Sequence, residues 1–106
     1  MSRGLHSTRL DHLVNHLYRI GLEDVIISAK EVNLLNGNRT VAQPDIVAIN
    51  KRGDLYIVEY KCNHQTNPAK GHMQLRIAEH FIYDQFGIPV KKIYVTGKEY
   101  DVEYKT

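Results

Sequence analysis

The sequence predicts an α/β fold, an α/β/α sandwich around a mixed β-sheet, and three observations lead there. Apolar residues recur at helical spacing near the start (Leu10, Leu13, Val14, Leu17) and again after residue 68 (Leu75, Ala78, Ile82, Phe86, with Ile77 and Phe81 beside them). Between these stripes lie runs rich in Val, Ile, Tyr and Leu, separated by turns that contain Asn and Gly. The central pair of runs is apolar on both faces, with Val47, Ile49, Leu55 and Ile57 on one and Ile46, Ala48, Tyr56 and Val58 on the other. A sheet of that kind needs cover on both sides, and one helix per face is the economical packing.

The elements follow in order. Residues 5 to about 20 are expected to form the first helix, capped by Ser7 and stopped by Gly21. Asp24 to Leu34 reads as a strand, Asn36-Gly37-Asn38 as a turn, and Arg39 opens the central strand. Lys51 to Gly53 form a three-residue hairpin loop if Gly53 is left-handed, which sets Asn50 opposite Asp54. A polar link from Cys62 to Thr66 leads to a second helix, with Asn67 as its cap, Pro68 at its first position and Gly87 at its end. Lys91 to Thr96 is a further strand, and Tyr100 to Tyr104 is a candidate edge strand. The expected order is α-β-β-β-α-β.

Composition limits the function classes. With 106 residues, 42% hydrophobic and 25% charged, the chain reads as a single globular domain, residues 1–106. No apolar run is long enough for a membrane span, no secretory leader is evident, and the lone Cys62 permits no internal disulfide. These features point to a cytoplasmic setting. A net charge of +2 is compatible with a nucleic-acid partner without arguing for one.

The chemistry sits in the hairpin. Counting outward from Asn50 and Asp54, Ile49 faces Leu55, Val47 faces Ile57, Asp45 faces Glu59 and Gln43 faces Lys61. The four polar residues then share one face at one end. Directly opposed carboxylates repel, and a divalent cation between them is the simplest reason for keeping them. His12 and His16, four apart on the first helix, have only Cys62 and His64 as further donors and are read as solvated histidines rather than a zinc site.

Pro44-Asp45, thirteen intervening residues, then Glu59-Tyr60-Lys61 resembles the signature of the PD-(D/E)XK nuclease superfamily. The element order is also that of its restriction-endonuclease-like core. Within the superfamily the chain is most similar to the small archaeal and viral Holliday-junction resolvases. The residues that carry this are Gly21 after the first helix, Pro44 to Ala48, Glu59 to Lys61 and Phe86-Gly87-Ile88-Pro89-Val90. The resemblance implies a metal-dependent DNA endonuclease that acts as a homodimer on branched DNA. Asp45, Glu59 and Lys61 would be catalytic, and Mg²⁺ (or Mn²⁺) would be held by Asp45, Glu59 and the backbone carbonyl of Tyr60.

Those resolvases carry a metal-binding glutamate in the first helix, and Leu10 stands in its place here. Either Asp11, Glu23 or Glu31 completes the set, or two carboxylates suffice, or metal binding is impaired. Glu31 stays near the acidic end if the loop at residues 36–38 has three residues and points away if it has two. Expected DNA contacts are Gln43, Lys51, Arg52, His64, Lys70, His72, Gln74 and Arg76. Gln74 lies where many relatives place a site-facing glutamine, although Ala78 leaves the usual glutamine-tyrosine pair incomplete. The alternative reading is a catalytically weak or inactive module of this fold that binds DNA or a protein partner.

Overall fold

A computed structural model describes residues 4–64 and 68–106. Its elements, in chain order, are helix α1 (Leu5–Val14), a 3₁₀ turn (Leu17–Ile20), strands β1 (Val25–Lys30), β2 (Leu34–Asn36), β3 (Arg39–Ala42), β4 (Ile46–Asn50) and β5 (Leu55–Lys61), helix α2 (Ala69–Phe86), and strands β6 (Val90–Thr96) and β7 (Asp101–Lys105). Five strands make a mixed sheet ordered β1-β4-β5-β6-β7, and β2 pairs with β3 in a separate two-stranded ribbon. Neighbours in the sheet are antiparallel except β5 and β6, which run parallel and are joined through α2. A parallel pair needs such a crossover.

The β4–β5 hairpin has the counted register, with Val47 opposite Ile57 and Ile49 opposite Leu55. Gly53 supplies the left-handed position (φ 84°). The Asn50 side-chain oxygen accepts the backbone N–H groups of Arg52 (2.9 Å) and Asp54 (3.0 Å), which holds the loop. Ile46, Ala48, Tyr56, Val58 and Tyr60 pack with Leu10, Leu13, Leu17 and Ile20 on one side. Ile57 and Tyr94 pack with Leu75, Ala78 and Ile82 on the other, joined by Val47 and Leu55. One helix therefore covers each face, as the alternating pattern requires.

The first helix is shorter than expected. It ends at Val14, and Leu17–Ile20 form a separate 3₁₀ turn closed by left-handed Gly21. Two side chains account for the break, because Asn15 donates to the Asp11 carbonyl (3.1 Å) and His16 engages the His12 carbonyl (2.7 Å). Local side-chain bonds of this kind compete with the next helical turn. Ser7 lies inside α1 and Gly4 holds the cap position, without a side-chain cap.

The stretch expected as one strand from Asp24 is interrupted by Glu31, whose backbone is left-handed (φ 54°). Arg39 opens β3 of the ribbon rather than the central strand, and Pro44, which has no N–H to give a ladder, stands between β3 and β4. The described residues thus form seven strands where the sequence suggested four or five.

Gly87 ends α2 in the left-handed conformation, as expected, and Pro68 occupies the cap position rather than the first turn. Asn67 lies outside the described residues. Phe86 does not extend the apolar stripe: it is 70% exposed. Gly71 does belong to the packed face, where any Cβ would collide with the Tyr94 ring. Among the described residues no helix is long and apolar enough to cross a membrane.

Candidate active site

Asp45 immediately precedes β4, and Glu59 and Lys61 lie at the far end of β5. All three are odd-numbered like Val47 and Ile57, so strand alternation sends them to the α2 side of the sheet. There they line a cleft of about 440 Å³ with Gln43, Pro44, Gln74 of α2 and His6 of α1.

Tyr60 organises the backbone of the site. Its N–H donates to the Asp45 carboxylate (2.7 Å), and its carbonyl accepts from His6 Nε2 (2.9 Å). Its hydroxyl donates to the Gly97 carbonyl on the opposite face (2.8 Å). His6 Nε2 also lies 3.6 Å from Asp45 Oδ2, and Lys61 Nζ lies 3.9 Å from Glu59 Oε2. Gln43 donates to Asn33 (3.0 Å), which ties the cleft rim to the chain between β1 and β2.

Glu59 is only 4% exposed. Burial and the negative charge of Asp45 push its carboxyl up to about 8, against the pull of Lys61 and the Asp45 backbone N–H. Asp45 is also raised, by burial, with the Tyr60 N–H, His6 and Lys61 pulling the other way. Two carboxyls in this state need either protons or more positive charge than Lys61 and His6 supply. The donor set that a cation would meet is two carboxylates and the Tyr60 carbonyl, all oxygen, which would suit a hard ion such as Mg²⁺ or Mn²⁺, while His6 Nε2 spends its proton on that carbonyl. Among the described residues no three His, Cys, Asp or Glu side chains converge into a ready-made cage. Two carboxylates plus backbone is therefore the set that fits.

The other expected residues divide. Gln43 and Gln74 line the cleft, and Arg76 lines a groove next to it. Lys70 is exposed on the first turn of α2. Lys51 and Arg52 sit at the opposite end of the hairpin, six or more residues from Asp45 and roughly 20 Å away at the rise of a strand. Arg52 bonds Asp54 there (3.2 Å). His64 is held by Asp101 and Glu103 (3.2 and 3.3 Å), and His72 stacks on Tyr94 with centroids 4.8 Å apart. Neither lines the cleft.

The first-helix acids are also elsewhere. Asp11 pairs with Lys30, and neither Glu23 nor Glu31 lines the cleft. Only the backbone of Glu31 reaches the site region, donating to the Asp45 carbonyl (2.8 Å). The loop between β2 and β3 has two residues, Gly37 and Asn38, the length for which Glu31 was expected to point away. Leu10 is fully buried in the core. The residue that sequence reasoning missed is His6, one helical turn before Leu10 and so on the same face of α1. That four-residue spacing was the available signal.

No protein-family model matches the chain, and no curated protein matches it in sequence. Among solved structures, a repair endonuclease from Pyrococcus abyssi superposes with a TM-score of 0.64 at 15% identity. The match covers 91% of this chain and 39% of that protein, so the chain spans well under half of its length. What the two share is a nuclease-like fold.

Proposed function

We propose that the chain is a metal-dependent DNA endonuclease of the PD-(D/E)XK type. The observation that carries the reading is the meeting of Asp45, Glu59 and Lys61 at one end of the sheet, with both carboxyls raised by burial. Perturbed acids in a polar cleft are what a catalytic cation site looks like before its cation is bound. The endonuclease fold of the structural neighbour supports the same reading. Branched DNA as the preferred substrate and a homodimeric assembly follow from the resemblance to resolvases.

Asp45, Glu59 and the Tyr60 carbonyl would hold Mg²⁺ or Mn²⁺, with His6, hydrogen-bonded to that carbonyl, keeping it in place. The ion, when bound, polarises a phosphate and lowers the pKa of a bound water. Lys61, beside Glu59, orients the attacking water and stabilises charge that develops on the phosphate. Gln43 and Gln74 bond phosphate or sugar oxygens at the cleft rim and set the strand in place without reading sequence.

A second reading, a DNA- or protein-binding module without cleavage, is favoured by one observation: Leu10, fully buried, cannot contribute the third acid. Cleavage of labelled four-way junction, duplex and single-stranded DNA with Mg²⁺, Mn²⁺ or EDTA separates the two. Nicking that needs the metal and falls at least about 100-fold in Asp45→Ala, with the fold retained, upholds the nuclease. Tight binding with no cutting in either metal leaves the binding module.

A further inference from the structure

The cleft that holds the acids does not end at its own rim. Val41 of β3 and Ile77 of α2 line it, and the same two side chains line a second groove of about 460 Å³. Met73, Arg76, His80, Phe81 and Asp84 complete that groove. Its volume lies in the range of pockets that hold small organic groups, roughly 300–1,000 Å³. From Gln74, in the acidic cleft, to Phe81 is seven helical residues, about 10 Å. That is short enough for a base flanking a phosphate held at the acids.

The lining says what fits. Met73 and Ile77 are 52% and 41% exposed, so apolar side chains stand in water along the path out of a polar cleft. A continuous duplex presents phosphates to such a surface and gains little from it, whereas an unstacked base gains from apolar and aromatic contact. Asp84 would repel a phosphate, yet its carboxylate can accept from the exocyclic amino group of a base. Arg76 makes no ion pair among the described residues and is available to the strand at the groove edge.

We infer that this groove receives an unpaired base of the cleaved strand, so that the substrate class is DNA with unpaired nucleotides beside the cut. The inference rests on the endonuclease reading above and deepens it. The base seats between Met73 and Phe81, with its edge toward Asp84, while its neighbouring phosphate lies at Asp45 and Glu59.

The test uses duplexes with 2-aminopurine at single positions around the cut, the labelled stretch either paired or looped out, titrated with the full chain carrying Asp45→Ala. Looped-out DNA should bind about tenfold tighter or better, with fluorescence quenched at one position next to the cut. Adding Met73→Ala or Phe81→Ala should each weaken that binding about tenfold and remove the quench. Met73 is exposed, so its variant keeps the test sound even if Phe81→Ala unfolds. Equal affinity for paired and looped-out DNA, or a quench that survives Met73→Ala, overturns the inference. The same DNAs with the unsubstituted chain and Mn²⁺ keep the two readings apart. Equal cleavage of both forms without a position-specific quench refutes the groove and leaves the nuclease; quenching without any cleavage refutes the nuclease and leaves a site for unpaired DNA.

Discussion

Removing the charge of Glu59 should stabilise the metal-free protein, and the amount follows from its burial. The carboxyl ordinarily titrates near 4.5 and is pushed up to about 8 in the fold, first by desolvation and then by Asp45. Between those two values the unfolded chain has released the proton and the folded chain still holds it. Stability is therefore greatest at the acid end and falls as pH rises from 4.5 through 8. At pH 7 the gap is two and a half units, which at about 1.4 kcal/mol per unit amounts to roughly 3 kcal/mol. Glu59→Gln keeps the shape and the neutral state, so it should recover about that much at pH 7 and almost nothing at pH 4.5. For a chain of this length the gain corresponds to a melting temperature higher by about 10 °C or more. The assay is thermal unfolding in EDTA across this pH range, repeated with Mn²⁺. The cation should lift the unsubstituted protein at pH 8, where it replaces the missing proton, and leave Glu59→Gln nearly unmoved. Stability curves that stay parallel for the two proteins across this pH range in EDTA would refute the argument, because they would mean that Glu59 ionises as freely in the fold as outside it.

Other substitutions test the surroundings. His6→Ala should weaken Mn²⁺ and Mg²⁺ binding alike, read by calorimetry, about tenfold, because the imidazole holds the Tyr60 carbonyl in place; a loss confined to Mn²⁺ would put an imidazole nitrogen on the ion instead. Leu10→Glu, which writes in the acid that resolvases carry, should lower stability by about 3 kcal/mol or more rather than improve metal binding, since position 10 is sealed in the core. A stable Leu10→Glu protein with tighter metal binding would show that α1 is free to turn toward the cleft. Gly71→Ala should cost about 1–3 kcal/mol in chemical unfolding, because its methyl group has no room against Tyr94.

The hairpin and its acids were legible because strand alternation and the Asn50–Asp54 loop are local properties. Once Gly53 is left-handed, the pairing of Val47 with Ile57 places Asp45 and Glu59 on one face. The same counting puts Lys51 and Arg52 at the far end, so their removal from the cleft is arithmetic rather than surprise. Other features depend on contacts between distant segments. Glu31 gives no sign of its left-handed backbone, which is held by a bond to the Asp45 carbonyl fourteen residues later. The first helix carries an apolar period through Leu17, yet Asn15 and His16 break it with bonds that no periodicity records. His6 reaches the site only because α1 packs on the other face of the sheet and brings its first turn over the end of β5.

The acid-x-lysine pattern leaves its middle position open, and Tyr60 fills it. That side chain is fully buried and anchored to the turn after β6, while its own peptide groups hold Asp45 on one side and His6 on the other. The Lys61 carbonyl is clasped by the same turn, through the Gly97 N–H (2.9 Å). The site therefore borrows its stiffness from the hydrophobic interior, and a packing change that never touches the cleft would be felt there as a misplaced carbonyl. In this chain the position that the pattern treats as arbitrary holds a fully buried side chain with a partner of its own.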